Sequence, residues 1–311
     1  MLTYVLTFFA TIAGVAAGNL VVPFLKNKLF GSDTPAPRTG VFSSVDRTPC
    51  SEYEIGRNVL QCLGNIKKDE VKSFADSLKE LEEKRNTKIV FISHPYTTSY
   101  FSRGLAMDDA DALADIVRRN PDSDLDIVID TPGGSLAAAE VMVNMLSSHQ
   151  GEVNVFIPRH AASAGTLIAL SADNIYLGNN AFMGPIDPQY TCFSAKSVAK
   201  YASRYTSNER MSIVSDMMQF ISTDANAAIT RVTNVVRTLW ASRGKEAADG
   251  VVELLINGDT QHDQPLFRRS LGCINTLSEK DVPAEIYDIF DQYQKTSPPQ
   301  RSPLSSILGG M

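Results

Sequence analysis

The chain has 311 residues, of which 43% are hydrophobic and 21% charged, and its formal net charge is −6. This composition is typical of a globular protein with one sizeable core, and the negative charge without a long Lys/Arg run argues against a nucleic-acid partner. The four cysteines and four histidines show neither C-x-x-C nor H-E-x-x-H spacing, and no G-x-x-x-x-G-K-[ST] loop occurs, so the sequence predicts no metal site and no cofactor.

The first 25 residues, "MLTYVLTFFATIAGVAAGNLVVPFL", contain no charged side chain. About 20 apolar residues are enough for a helix to cross the hydrocarbon core of a bilayer. A cleaved signal peptide usually starts with positive charge, whereas Lys26 and Lys28 follow the run here. We therefore predict an uncleaved single-pass membrane anchor, and the positive-inside rule favours a cytoplasmic position for the domain that follows it. A signal peptide cleaved near "GVAAG" is the alternative.

The remaining chain divides into a linker at residues 26–50, a domain at residues 51–295 and a disordered tail at residues 296–311. Gly, Pro, Ser and Thr dominate the linker and the tail. Helices are predicted in chain order at "DEVKSFADSLKELEEKRN", "DDADALADIVRR", "SLAAAEVMVNMLSS" and "SAGTLIALSA". Strands are predicted at "TKIVFIS", "LDIVID", "EVNVFIP", "NIYLG" and "AFMG". This alternation predicts an α/β domain with a parallel sheet of βαβ units, covered by helices on both faces.

The C-terminal region of the domain is predicted to be mostly helical. The segment Thr206–Glu209, "TSNE", has the spacing of a capping box and is expected to begin a long helix that runs to about Trp240.

Two strand–turn–helix units carry the residues that indicate chemistry. The first is "DTPGGS", where Gly133 and Gly134 come directly before a helix. Glycines let backbone N–H groups approach a ligand, and a helix start adds positive dipole, so these two amides are candidate oxyanion donors. A simple turn is the alternative for this segment.

The second unit is "PRHAASAGTLIAL", in which Ser163 lies among Ala and Gly residues. The pattern A-x-S-x-G is a relative of the nucleophile elbow G-x-S-x-G, and Ser163 is therefore the candidate nucleophile. An N-cap serine in a tightly packed turn is the alternative. Both turns follow strands of one predicted parallel sheet, whose carboxyl edge is where ligands bind.

These segments, with "GPIDPQ" and "NGDTQHDQPLFRRSLG", resemble the serine dehydrogenase proteinase family. That family is grouped with signal peptide peptidase A and the Clp protease proteolytic subunit, in the crotonase-like fold. The resemblance implies a membrane-associated serine peptidase in which Ser163 is the nucleophile and Gly133 and Gly134 form the oxyanion hole. The chain departs from the family pattern at Asp130, where His is frequent, and at Ala162, where Met is frequent.

The resemblance leaves the general base open. Clp-type peptidases use a His after the serine helix, but "AFMGPID" contains none. Signal peptide peptidase A relatives use a Ser-Lys dyad, which favours Lys200, then Lys196, as the base. His262, beside Asp263, is the rival. His160 is a possible site-lining residue.

Asp187 is a further possible site-lining residue, and a turn carboxylate is the alternative for it.

The expected function is a membrane-anchored serine endopeptidase of the Ser-Lys type that acts on peptides or membrane-protein fragments and forms homo-oligomers. A non-catalytic membrane scaffold and a crotonase-type acyl-CoA enzyme are the alternatives.

Overall fold

A five-stranded parallel sheet forms the centre of the domain. The computed structural model describes residues 54–55, 68–94, 104–190, 193–206, 213–257 and 261–296. The strands of the sheet are β1 (Glu54–Ile55), β2 (Thr87–Ser93), β3 (Asp124–Asp130), β4 (Val153–Ile157) and β6 (Asn174–Leu177). They lie in the order β1-β2-β3-β4-β6, and all four pairings are parallel. The prediction of an α/β fold with a parallel sheet is thus confirmed.

Helices connect the strands and continue beyond the sheet. They are α1 (Lys68–Arg85), α2 (Met107–Arg119), α3 (Leu136–Ser147), α4 (Ala164–Ala169), α5 (Ala195–Thr206), α6 (Ile213–Leu239), α7 (Lys245–Val252) and α8 (Ala284–Thr296). Shorter pieces are the 3-10 turns Ala241–Arg243 and Arg268–Ser270 and a π-helical turn, Glu253–Asn257. Most of the predicted capping box Thr206–Glu209 lies outside the described residues. Thr206 itself belongs to α5, and the described part of the long helix is α6.

Two small sheets lie beside the main one. Strand β5 (His160–Ala161) pairs in parallel with β7 (Phe182–Met183), and β8 (Gln189–Tyr190) pairs antiparallel with β9 (Phe193–Ser194). The chain reaches β5 and β7 after leaving the carboxyl end of β4 and of β6, respectively. These pairs therefore extend the structure at the edge where ligands bind in parallel sheets.

Alternate residues of each central strand enter two separate hydrophobic clusters. In β2, Val90 and Ile92 pack with residues of α2, α3, α4, α6 and α7, whereas Ile89 and Phe91 pack with residues of α1 and α8. Because side chains alternate across a strand, helices cover both faces of the sheet, as the continuous apolar runs predicted.

Asp126 is the charged exception within β3. It is buried, and it accepts hydrogen bonds from Arg85 Nε at 2.6 Å and from Asn154 Nδ2 at 3.2 Å. Burial raises the pKa of Asp126 more than the hydrogen bond from Arg85 and its charge lower it. These partners satisfy a carboxylate that would otherwise be costly to bury.

The predicted membrane anchor at residues 1–25, the linker and most of the tail lie outside the described residues. Within the described residues, no helix combines the length and the apolar character needed to cross a bilayer.

Candidate active site

The turn after β3 and the turn before α4 contact each other. Thr131 N donates to His160 O at 3.1 Å, and Ala162 N donates to Thr131 O at 3.0 Å. A Cβ atom added to Gly133 would lie 2.8 Å from Ser163 Cβ. The two segments that the sequence singled out are therefore neighbours, with room only for glycine at position 133.

Ser163 has an unusual backbone conformation. Its φ is 51° and its ψ is −120°, a combination that non-glycine residues rarely adopt. Ser163 N donates to Pro185 O at 3.2 Å, and Ser163 O accepts from Leu167 N at 3.2 Å, so both neighbouring segments hold it in place. A serine held in a strained strand-to-helix turn is the geometry of a nucleophile elbow.

Small residues around Ser163 are required by packing. A Cβ atom on Gly165 would lie 2.4 Å from Thr131 Cγ2, and one on Gly184 would lie 2.8 Å from Ala162 Cβ. Larger side chains at these positions would push the elbow away from the first turn. This contact explains why the sequence clears bulky groups from both sides of the serine.

The Gly133–Gly134 turn engages one amide and leaves the next available. Gly133 N donates to Thr131 Oγ1 at 3.1 Å, so this N–H group is occupied. The Gly134 amide has no acceptor among the described residues, and Gly134 lines a cleft together with Ser163 and Ala164. The Ala164 amide likewise has no acceptor in the part of the chain that the structure describes, as expected for the first residue of a helix.

The cleft has a volume of about 660 Å³, and it contains both apolar and ionisable groups. Its apolar wall consists of Leu136, Leu167, Ile186 and Val232. Four further lining residues belong to α6, as Val232 does: Asp224, Ala227, Ala228 and Arg231. A cavity of this size and composition is typical of a site for part of a peptide or a small organic ligand.

His262 and Asp187 also line the cleft and are bonded to each other. His262 Nδ1 lies 2.8 Å from Asp187 Oδ1, and Gln189 Nε2 donates to Asp187 Oδ2 at 2.7 Å. Asp187 is buried, whereas the His262 side chain is 35% exposed. Because a carboxylate only accepts, Nδ1 carries a proton, and in the neutral ring Nε2 is left as an acceptor.

Two backbone contacts bring this pair together. Met183 and Leu266 exchange hydrogen bonds of 3.0 and 2.8 Å, which fastens the loop of His262 to β7. Ile186 N donates to Leu255 O at 2.9 Å. Among the described residues no hydrogen bond joins His262 to Ser163, and catalytic hydrogen bonds are often loose before substrate binds.

The predicted lysine bases lie elsewhere. Lys196 and Lys200 are exposed residues of α5, and neither belongs to the described residues that line the cleft. Lys196 Nζ donates to Asn257 O at 2.5 Å, at the end of the π-helical turn. The structure thus brings Ser163, Asp187 and His262 to one cleft but does not bring these lysines there.

His160 belongs to a buried ion-pair cluster, and it is not among the residues that line the cleft. Its Nδ1 lies 2.9 Å from Asp130 Oδ1, its ring stacks on Phe182, and Arg159 also pairs with Asp130. Burial by itself would raise the pKa of Asp130, but the hydrogen bonds from His160 and Arg159 outweigh it and lower this pKa.

The described residues contain no group of His, Cys, Asp and Glu side chains that could hold a metal ion.

Comparison with known proteins identifies the family. The model of the ClpP-like SDH-type serine proteinases matches residues 62–307. The chain belongs to this family. The family resemblance seen in the sequence is thereby confirmed, and the nucleophile-elbow geometry of Ser163 agrees with a serine proteinase family.

Relatives of this SDH-type proteinase chain include two proteins from Methanocaldococcus jannaschii. Uncharacterized protein MJ0137 is 30% identical over 225 residues, which are 70% of this chain and 77% of that protein. Uncharacterized protein MJ1495 is 30% identical over 223 residues, which are 70% of this chain and 75% of that protein. Membrane protein NfeD1b of Bacillus subtilis is 35% identical over 86 residues, which are 28% of this chain and 18% of NfeD1b.

A more distant likeness exists to a solved structure. It is an alanine mutant of 1510-N, a membrane-bound stomatin-specific protease, with 17% identity and a TM-score of 0.36 over 62% of this chain and 81% of that one.

Proposed function

We propose that this SDH-type proteinase is a serine endopeptidase in which Ser163 is the nucleophile, His262 the general base and Asp187 the residue that orients it. The observation that carries the proposal is the Asp187–His262 pair, bonded at 2.8 Å, in the cleft that Ser163 lines. With Nδ1 of His262 donating to Asp187, Nε2 is the atom that takes the proton of Ser163 Oγ.

The chemistry follows from this arrangement. Ser163 Oγ attacks the carbonyl carbon of the peptide, and its proton passes to His262 Nε2. The carbonyl oxygen becomes an oxyanion, for which the amides of Gly134 and Ala164 are the proposed donors. His262 then gives its proton to the leaving amine, and water releases the acyl group by the same steps. Each good oxyanion donor lowers the barrier by about 3 kcal/mol.

This assignment differs from the Ser-Lys dyad expected from sequence. Lys196 and Lys200 are solvent-exposed, whereas a lysine base needs desolvation to lose its proton near neutral pH. The proposed oxyanion donors are Gly134 and Ala164 rather than Gly133, because the Gly133 amide already donates to Thr131 Oγ1. The apolar wall of Leu136, Leu167, Ile186 and Val232 favours substrates with an apolar side chain beside the cleaved bond.

We further propose that the enzyme acts at a membrane on peptides or membrane-protein fragments, as a homo-oligomer. The charge-free run at residues 1–25 supports the membrane part of this proposal, and so does the similarity to NfeD1b, whose name describes a membrane protein.

The deciding experiment is intact-mass analysis of the full-length protein in detergent after treatment with a fluorophosphonate. Wild type is compared with Ser163→Ala, His262→Ala and Lys200→Ala. We expect an adduct on wild type and Lys200→Ala and none on the other two. Labelling that is lost in Lys200→Ala and kept in His262→Ala would establish the lysine base instead. A wild type that never reacts would favour a non-catalytic scaffold, or an acyl-CoA enzyme if it binds acyl-CoA.

A further inference from the structure

Three buried polar side chains lie behind the Gly133–Gly134 turn without lining the cleft. His94, Asp109 and Thr131 are 1%, 3% and 0% exposed. Polar groups are costly to bury unless they are hydrogen-bonded to one another, so a connected buried set at this place calls for an explanation.

The three side chains form a chain of hydrogen bonds that ends on the turn. His94 Nε2 lies 3.3 Å from Asp109 Oδ2, and His94 Nδ1 lies 2.9 Å from Thr131 Oγ1. Thr131 Oγ1 accepts from Gly133 N at 3.1 Å. Because the Asp109 carboxylate can only accept, His94 Nε2 donates to it. In the neutral ring Nδ1 is then the acceptor, so the Thr131 hydroxyl donates to His94 and keeps its lone pairs for Gly133 N–H.

Asp109 reaches the same turn by a second route. Its Oδ2 accepts from Ala106 N at 2.7 Å, which fixes the segment before α2. In that segment, Leu105 N donates to Gly133 O at 2.9 Å, and Leu105 O accepts from Ser135 N at 2.7 Å. Both the N–H and the C=O of Gly133 are therefore engaged by groups that connect back to Asp109.

The hydrogen bonds of Gly133 determine the direction in which the Gly134 amide points. Gly133 C=O and Gly134 N–H belong to one planar trans peptide, in which the two groups point in opposite directions. Since Gly133 C=O points toward Leu105, Gly134 N–H points away from Leu105. Glycines have little intrinsic preference between the two orientations of such a peptide, so the orientation depends on its partners.

We propose that Asp109, His94 and Thr131 are positioning residues that hold the Gly133–Gly134 peptide with Gly134 N–H toward the cleft. The inference rests on the proposed function for its catalytic consequence, which is a preorganised oxyanion donor. Its structural part, the orientation of the turn, can be measured without any reaction.

The structural test uses the amide resonance of Gly133. Pro132–Gly133 is the one Pro–Gly pair in the 311-residue sequence. The full-length protein, labelled with carbonyl-¹³C proline and ¹⁵N glycine, therefore gives one cross-peak in a carbonyl-selected amide spectrum. We compare wild type with Thr131→Val, which keeps the shape but lacks the hydroxyl, and Thr131→Ser, which keeps the hydroxyl. Thr87→Val is the matched control, because Thr87 is a buried threonine at the other end of the sheet that donates to Asp124 O.

We expect the Gly133 amide proton to move upfield in Thr131→Val and to stay near its wild-type position in Thr131→Ser and Thr87→Val. His94→Phe, which ends the chain of hydrogen bonds at Thr131, is expected to broaden or shift the same peak. An unchanged peak in Thr131→Val and His94→Phe would overturn the proposal.

The functional test is the rate of fluorophosphonate labelling of Ser163 in the same proteins. A misdirected donor is expected to slow labelling about 10- to 100-fold in Thr131→Val and His94→Phe, with recovery in Thr131→Ser. A shifted amide peak with an unchanged labelling rate would overturn the positioning role. If wild type does not label at all, the peptidase assignment fails, and the amide peak still decides whether these residues hold the turn.

Discussion

His262 Nδ1 lies 2.8 Å from Asp187 Oδ1, although 75 positions separate the two residues in the chain. The pairing of Met183 with Leu266 brings the His262 loop to the strand that precedes Asp187. Gln189 occupies the second oxygen of the same carboxylate. The acid is thus held from two sides, and it presents the imidazole to the cleft that contains Ser163.

Asp187→Asn is expected to reduce kcat for peptide hydrolysis by roughly 10³- to 10⁴-fold, because the amide no longer fixes the tautomer of His262. The measurement is hydrolysis of fluorescein-labelled casein by the full-length protein. Asp263→Asn is the control, since Asp263 is an exposed carboxylate directly after His262. Equal losses in both variants would show that charge near the loop, rather than the Asp187–His262 bond, is what matters.

Gln189→Ala is expected to lower kcat about tenfold and to leave KM nearly unchanged. The substitution removes one hydrogen bond to the buried Asp187 carboxylate and loosens its orientation. Casein hydrolysis at several concentrations separates the two constants. Gln150→Ala, at an exposed position far along the chain, should behave as wild type. A rise in KM alone would place Gln189 in substrate binding instead.

Gly133→Ala is expected to destabilise the protein by about 2 kcal/mol or more and to abolish labelling of Ser163. The added Cβ would lie 2.7 Å from Ala162 O and 2.8 Å from Ser163 Cβ, at a φ of 101° that alanine disfavours. Urea unfolding gives the free energy. Gly272→Ala is the control, because no atom lies within 4 Å of its added Cβ. A stable, reactive Gly133→Ala would mean that the two turns are further apart than described.

Ala228→Phe is expected to raise KM for casein about tenfold or more, because the ring would fill the cleft from the α6 side. The intrinsic reactivity of Ser163 toward a small fluorophosphonate should change much less. Thr230→Phe, on an exposed position of the same helix, provides the control for a new surface aromatic. An unchanged KM in Ala228→Phe would argue that substrate does not occupy this part of the cleft.

Asp130→Asn is expected to cost roughly 3 kcal/mol of unfolding free energy at pH 7, because it leaves His160 and Arg159 without their buried partner. The folded pKa of Asp130 lies below its ordinary value of 3.8, so its contribution is complete above that pH and is lost as pH falls through the folded pKa. The difference in unfolding free energy between wild type and Asp130→Asn should therefore become smaller below about pH 4.

Asp126→Asn is the comparison for this pH dependence. The folded pKa of Asp126 is raised by burial. Ionisation of Asp126 therefore lowers the free energy of unfolding as pH rises from 3.8 through its folded pKa. Urea unfolding between pH 3 and pH 7 gives, for each variant, the unfolding free energy of wild type minus that of the variant. The two differences should therefore change with pH in opposite directions. Parallel curves would contradict the opposite environments assigned to the two carboxyls.

Much of the fold was predictable because its signals are local. The apolar runs "TKIVFIS" and "LDIVID" became β2 and β3 with nearly the predicted bounds. The helix after Ser163 was recognised but ends at Ala169, earlier than predicted. Thr206, expected to begin the long helix, belongs instead to α5, and the rest of the predicted capping box lies outside the described residues.

The candidate site was only half predictable. Gly133, Gly134 and Ser163 stand out because glycine and small residues have few other reasons to cluster before a helix. The base could not be chosen, since whether α5 or the loop of His262 reaches the cleft depends on packing that spacing alone does not specify. His94 gave no signal at all, because a single histidine after a strand is common and its partners Asp109 and Thr131 lie 15 and 37 positions away.

The amino-acid sequence by itself determined the parallel sheet, the order of its helices and the two turns that face each other, because hydrophobic period and glycine placement act over a few residues. Only the tertiary structure decided that Asp187 joins His262, that Lys196 and Lys200 stay outside the cleft, and that the Gly133 amide is already engaged. Those outcomes depend on which distant segments pack together, and the contacts that hold them form between atoms far apart in the chain.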